Sequence, residues 1–318
     1  MPSSAERDRV IIDLALRQSG FVTAKQLGEL GVSYRGVVGL QERGIIGRVL
    51  HGVYELRNAP SPNSMGDLIR RARAACLAGG VDALASHDTA ARLWGIDIPA
   101  GDIIEITVAH ARNPRPRRDG VIVHRARNLP VTARRQHEGV PTTSVEWTLM
   151  QLAGRYEPCR VGRALDDAIV RKLVTPRRMA TLLDSQNVRV RPGVSTLRRE
   201  LDLWLQGSGR PDSVPEASLL RALGRFGIPT PQCQYKVLDR DHLIAVLDFA
   251  WPAAKVGVEM DGWRYHATPS SHANDYLRAD RLEECGWRLI RTTPSAFRAA
   301  PDPFLSRLHA VLQERGCV

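Results

Sequence analysis

The sequence predicts an α+β chain of several domains, and three observations predict it. Helices and strands come in runs, such as three helices followed by a hairpin and three successive strands in the last segment, without a repeating β-α alternation. Two stretches rich in Pro, Gly and Ser, PSPNS before Met65 and GSGRP at 207–211, separate segments at 1–58, 64–206 and 212–318. The length of 318 residues is enough for two or three domains, each with its own core.

Residues 1–58 read as three helices followed by a hairpin. Val10, Ile11, Leu14 and Leu16 mark an amphipathic first helix. Thr23, with Gln26 three residues on, makes a capping box for a short second helix that Gly31 ends. Ser33 caps a third helix from Tyr34 to Arg43, and GIIGRVLHGVYEL gives two short strands turning at His51-Gly52. This is the winged helix-turn-helix order, in which the third helix enters the major groove and the wing touches backbone or minor groove. Tyr34, Arg35 and Arg43 on the helix, with Arg48 and His51 on the wing, are the candidate DNA contacts. The plainer alternative is a small helical domain with solvated charges; the ordered cap-turn-cap pattern favours DNA.

Residues 64–206 mix helices and strands. Asp67–Ala78 is a helix, and ALASHDTAARLWG from Ala83 is a strand end leading into a helix capped at Ser86. Ile103–Val108 and Val121–Arg125 are strands, and a further helix starts after Thr143 or Ser144. Cys159–Val170, Pro176–Leu183 and Ser195–Leu205 complete the helices. Between and after the two strands lie Arg112, Arg115, Arg117, Arg118, Arg125, Arg127, Arg134 and Arg135, with Asp119 the sole acid from Arg112 to Arg135. Pro114 and Pro116 predict an extended loop there. Phosphate contacts, foremost by Arg115, Arg117 and Arg118, fit this density better than a solvated loop; they would give affinity without sequence choice. No nucleophile-base pair or phosphate loop is visible, and His87 and His124 read as structural or surface residues.

Composition sets the bounds. No apolar run approaches the ~20 residues of a membrane span, and MPSSAERDRV lacks the apolar stretch of a signal peptide. Five cysteines, odd in number and without a C-x-x-C pair, argue for reduced thiols. The expected location is the cytoplasm, with no membrane contact. The formal net charge is +11. Residues 1–211 hold 32 Lys+Arg against 21 Asp+Glu, and residues 212–318 hold 13 against 13. The basic excess therefore lies in the first two segments, and a polyanion, DNA first, is the partner it suits. A generally Arg-rich coding bias is the competing explanation.

Residues 212–318 carry the densest chemistry. The order is α-β-β-β-α-β-α, with Glu216 near the start of the first helix, PEASLLRALGRFG. LIAVLDFAW and KVGVEM are adjacent strands of a hairpin that breaks around Pro252. Asp248, Glu259 and Asp261 sit in or just after these strands. An ionised carboxylate in an apolar strand is expensive to bury without a partner. Either each has an Arg or Lys, or all three face one bound cation. Asp248 and Glu259 on neighbouring strands can meet at the ~5 Å strand spacing, and Asp261, two residues on, shares the face of Glu259. The cation is favoured, and hard oxygen ligands suit Mg²⁺ or Mn²⁺.

Two resemblances add to this reading. FVTAKQLGELGVSYRGVVGLQERGIIGRVLHGVYEL resembles the N-terminal winged-helix domain of AbiEi-type antitoxins; SHDTAARLWG, VIVHRARNL and GVPTTSVEWTLMQLA are similar to the region that follows it in that family. Glu216 with VLDFAWP, VGVEMDGWRYH and DYLRADRLEECGWRLIR resembles the DUF559 family of very-short-patch-repair-like nucleases in the PD-(D/E)XK superfamily. That second resemblance implies a restriction-endonuclease-like α/β domain. It makes Asp248 the central metal ligand and puts Glu259 at the superfamily's acidic position. Asp261 stands where the pattern has Lys, so a simple lysine-activated water does not carry over. His266, five residues after Asp261, is the implied general base, and Glu216 would orient water or a second metal. Lys236 and Lys255 are candidates for a migrated lysine.

The function expected is a DNA-binding protein with a Mg- or Mn-dependent endonuclease domain. Against it stands a non-catalytic, antitoxin-like regulator with a degenerate nuclease fold, whose partner would be a cognate toxin. An enzyme directed to RNA is a third reading. A winged helix often dimerises, although no heptad pattern marks a homodimer.

Overall fold

The structure is a computed structural model that describes residues 4–57, 64–99, 101–109, 117–118, 120–126, 129–185, 188, 191–206, 211, 213–240, 242–261 and 269–318. Among the described residues it is mixed α/β, with thirteen α-helices and three sheets. The chain forms two compact units, residues 1–160 with 184–194, and residues 161–183 with 195–318.

The first unit begins with α1 (Ser4–Arg17), β1 (Phe21–Thr23), α2 (Ala24–Glu29), α3 (Tyr34–Glu42), β2 (Ile46–Leu50) and β3 (Val53–Leu56). The capping box forms: Thr23 Oγ1 accepts from Gln26 N, and Gln26 Oε1 accepts from Thr23 N. Ser33 caps α3 through Gly36 N. Strand β1 departs from the sequence expectation, which had no strand between the first two helices. Three residues are too few for a periodicity signal; pairing to β3 makes them a strand, in the antiparallel order β1-β3-β2. Ile11, Leu27, Val37, Leu40 and Ile46 close the core beneath the helices.

The same unit continues through α4 (Ser64–Gly79), β4 (Leu84–Ala85), α5 (His87–Leu93), β5 (Ile104–Ala109), β6 (Arg117–Arg118), β7 (Val121–Ala126), β8 (Arg134–His137), β9 (Val140–Thr143) and α6 (Val145–Ala153). Six strands pair in the order β6-β7-β5-β4-β9-β8. Ile104, Ile106 and Val108 of β5 pack under Ala72, Ala75 and Cys76 of α4. Ser144 caps α6 through Trp147 N, as the sequence allows. Ser86 is the N-cap residue of α5 but makes no side-chain cap bond; its hydroxyl is instead 3.0 Å from His87 Nδ1.

The second unit holds most of α7 (Pro158–Val170), then α8 (Pro176–Asp184), α9 (Val194–Gln206), α10 (Val214–Phe226), β10 (Gln232–Asp239), β11 (His242–Trp251), β12 (Val256–Met260), α11 (Pro269–Glu284), β13 (Arg288–Thr292), α12 (Pro294–Ala299) and α13 (Pro301–Glu314). The sheet order is β10-β11-β12-β13, antiparallel until β13 joins β12 in parallel. Leu219 and Leu223 of α10, Phe297 of α12 and Leu308 of α13 cover one face. Leu282 of α11 covers the other, against Ala245 and Leu247. The short α12, capped by Thr293, was not expected.

Arg221 of α10 is buried with Asp166 of α7 and Glu200 of α9. Its Nε donates to Asp166 Oδ2 at 2.8 Å, a second nitrogen bonds Glu200, and Trp204 Nε1 donates to Asp166 Oδ1 at 2.8 Å. Burial pushes the Asp166 carboxyl up, against the pull of Arg221 and Trp204. With every charge matched, this network joins α7 and α9 to α10, the helix that carries Glu216.

Candidate functional site

The site in the second unit grows from the β11–β12 hairpin. Phe249 pairs with Val258, so Asp248 and Glu259 lie at the next rung, where side chains share a face. Asp248 Oδ2 accepts from Met260 N at 2.7 Å. From β10, Gln234 Nε2 donates to Asp248 Oδ1 at 3.4 Å and to Glu216 Oε2 at 3.2 Å. Gln234 does this from a left-handed backbone, φ 51°, which a side chain other than Gly rarely adopts. Ser213, the cap of α10, donates to Glu216 Oε1 at 2.6 Å. One glutamine amide therefore gathers the acids of α10 and β11.

Glu259 is 5 % exposed. Its Oε2 accepts from Arg278 Nη2 of α11 at 2.8 Å and faces Arg291 Nε of β13 at 3.4 Å. Its Oε1 is buried and has no hydrogen-bond partner among the described residues. Burial raises this carboxyl above its usual range; the two guanidiniums pull it down without cancelling the effect, and Asp261 adds to the rise. Asp261 follows the end of β12, donates its amide to Thr292 O at 2.8 Å, and lines a cleft of about 580 Å³ with Arg291, Thr293 and Arg307.

The convergence of Asp248, Glu259 and Asp261 on one ion is thus not what the described residues form: no group of three His, Cys, Asp or Glu side chains is drawn together for a metal. The pair that shares a partner is Glu216 and Asp248. The physical reason lies in the second unit's packing, which sets Arg278 and Arg291 against Glu259 as counter-charges. The donor chemistry still suits a hard divalent ion, since every acid offers oxygen and Glu259 keeps one desolvated oxygen unmatched. Asp248 and that oxygen of Glu259 are the groups that would hold it. His266 falls outside the described residues. Lys255 Nζ donates to Cys285 O at 2.9 Å, away from the acids. Gln234 and Arg291 were not singled out from the sequence; a polar residue in an edge strand and an arginine in RLIRT carry no local signal.

The nucleic-acid candidates fall in the first unit. Tyr34 is 82 % exposed at the start of α3, and Arg35 beside it is exposed. Arg43 is engaged with Asp8 at 3.0 Å. Arg48 lies 3.2 Å from His51 Nδ1 at the β2–β3 turn. Arg115 lies outside the described residues. Arg117 and Arg118 are placed only in backbone, as β6, a short strand where an extended loop was expected; it pairs with β7 across the turn at Gly120.

A second cluster in this unit contains His87 and His124, which the sequence reads as structural or surface residues; its centre, Glu105, was not singled out. Glu105 of β5, 2 % exposed, accepts from Arg155 Nη1 at 2.8 Å and Asp88 N at 3.1 Å, and meets His124 Nε2 at 3.1 Å. His124 stacks on His87 with ring centroids 3.7 Å apart. The carboxylate in IEITVA was the available signal.

Three family models match consecutive stretches. A model of the transcriptional regulator, AbiEi antitoxin, matches residues 9–57; one of the AbiEi antitoxin C-terminal domain matches 74–221; and REase_MTES_1575 matches 216–312. Two uncharacterized Mycobacterium tuberculosis proteins, MT2308 of strain CDC 1551 and Rv2248 of strain H37Rv, are each 29% identical over 266 residues, spanning 82% of this chain and 90% of theirs. The crystal structure of RV2827C from Mycobacterium tuberculosis aligns with 69% of this chain and 81% of that one at 18% identity and a TM-score of 0.42, too loose a likeness to argue from. No described helix is long and apolar enough to cross a membrane.

Proposed function

We propose that this chain, which joins AbiEi antitoxin regions over residues 9–221 to a nuclease-like domain over residues 216–312, is a DNA-binding protein whose last domain hydrolyses phosphodiester bonds with Mg²⁺ or Mn²⁺. The observation that carries this reading is the half-satisfied Glu259, buried beside Asp248 with one oxygen unmatched. An unmatched, desolvated carboxylate oxygen costs stability, and a fold that keeps it has a use for it. A divalent ion there would polarise a phosphoryl oxygen and lower the pKa of an attacking water. The chain's own residues do the rest. Gln234 fixes Glu216 and Asp248 together, and Met260 N orients Asp248. Arg278 and Arg291 present positive charge where a scissile phosphate would lie. The α3 helix, with Tyr34 and Arg35, and the β2–β3 wing, with Arg48 and His51, hold the duplex as a winged helix does.

One observation favours a second reading, a non-catalytic regulator acting with a toxin partner: Arg278 and Arg291 already give Glu259 Oε2 what a cation would give. Plasmid nicking separates the two. The enzymatic reading expects nicking with Mg²⁺ or Mn²⁺, none with a chelator, and a loss of about a hundredfold or more in Asp248→Asn and Glu259→Gln. Absence of metal-dependent nicking, or nicking by both variants at the parent's rate, leaves the regulator.

A further inference from the structure

A cavity of about 750 Å³ opens in the first unit, and none of the acids discussed above lines it. Its size falls in the ~300–1,000 Å³ range of small-molecule pockets. Its lining includes Arg17, Lys25 and Arg73 of α4, together with the apolar Leu77, Ala83 and Pro141. The acid on the lining is Glu29, which pairs with Lys25 at 3.7 Å. Arg17 and Arg73 have no carboxylate partner among the described residues.

Arg73 is the informative one. It is half-buried, and its Nη2 makes a long hydrogen bond to Glu138 O at 3.4 Å. Burial holds its guanidinium below the usual arginine range. Gly139 makes room for it: φ there is 70°, and a Cβ would stand 1.9 Å from Arg73 Nη2. A desolvated cation without a counter-charge is costly, and an anion in the cavity would relieve that cost. Leu77, Ala83 and Pro141 make part of the lining apolar, so the anion that fits carries an apolar body. A duplex backbone, with its charge spread along a convex edge, fits a concave pocket of this kind poorly.

We infer that this cavity binds a small organic anion, with a carboxylate or phosphate head on Arg73 and an apolar body against Leu77 and Pro141. The occupant would lie beside His51 and Gly52, which also line the cavity.

Calorimetric titration of the full chain tests this, with phenyl phosphate and benzoate as the two head-group probes, inorganic phosphate as the head alone, and benzyl alcohol as the neutral body. At least one organic anion should bind, more tightly than inorganic phosphate, while benzyl alcohol should not. Arg73→Gln should weaken the binding about tenfold or more. Ala78→Phe, exposed on the cavity wall, should block it at unchanged Tm, and it serves if Arg73→Gln fails to fold. The inference is overturned if neither organic anion binds, if the folded variants bind as well as the parent, or if inorganic phosphate binds as tightly as phenyl phosphate. Displacement of the probe by a short DNA duplex would equally overturn it, since the cavity would then belong to the DNA surface.

Discussion

Glu105 and Glu259 are both glutamates in apolar strands, 2 % and 5 % exposed, and the protein treats them in opposite ways. Glu105 receives His124 and Arg155 on one oxygen and the Asp88 amide on the other. Burial pushes its carboxyl up, but His124, His87, Arg155 and that amide together hold it at about 2. Glu259 receives both its arginines on Oε2 and nothing on Oε1, and burial wins, leaving its carboxyl raised. Depth of burial therefore does not separate a structural acid from the one proposed to hold an ion. Satisfaction of both oxygens does. By that measure the first unit's cluster holds a fold together, and Glu259 is the acid that the proposed ion would satisfy.

Several substitutions break or sharpen this contrast. The largest effect should come from Arg221→Met, which leaves Asp166 as a buried acid without a counter-charge, while Glu200 keeps Arg199 and Arg225 at 3.6 and 3.7 Å. A loss of about 3–5 kcal/mol in denaturant unfolding is expected. Glu105→Gln should cost somewhat less, since Arg155 is 45 % exposed and can regain water. Glu259→Gln should leave Tm unchanged or raise it, because the ionised form of a group whose pKa rises on folding is a burden at neutral pH. A fall in Tm as large as that of Glu105→Gln would erase the distinction.

Acid pH offers the next test. The folded pKa of Glu105 lies below its ordinary 4.5, so its contribution is present above 4.5 and is lost as pH falls toward about 2. Burial, with the nearby His124, pushes His87 from its ordinary 6.5 down to about 3. An unfolded chain takes up that proton first, so stability falls as pH drops from 6.5 toward 3. Glu259 runs the other way, its burden lifting as it protonates. Unfolding of Glu105→Gln between pH 6 and pH 3 should therefore show a shallower acid-side loss than the parent; equal slopes would contradict the assignment. The smallest effects belong to the DNA contacts. Arg35→Ala should weaken duplex binding several-fold and lower the salt slope by about 1. Arg43→Ala, already paired with Asp8, should change binding less, as filter binding at several salt concentrations would show.

Much of the architecture was legible. Caps at Thr23, Ser33 and Ser144, the hairpin at Asp248 and Glu259, and the terminal α-β-β-β-α-β-α order all follow from local chemistry. Strand β1 and helix α12 were not legible, because three and six residues carry too little period. The acids of the site were visible as carboxylates in apolar strands. Their pairing was not: Arg278 stood out only as a residue to hold a phosphate or pair with Asp275, and Gln234, Arg278 and Arg291 reach the acids from β10, α11 and β13. Such long-range pairing has no spacing in the sequence.

Titration of Mn²⁺ into the parent protein and into Glu259→Gln, followed by calorimetry, tests the central claim most directly. One ion site in the parent, lost or weakened at least tenfold in the variant while Tm holds, is the predicted result. No ion bound by the parent, or equal binding by both proteins, would contradict it.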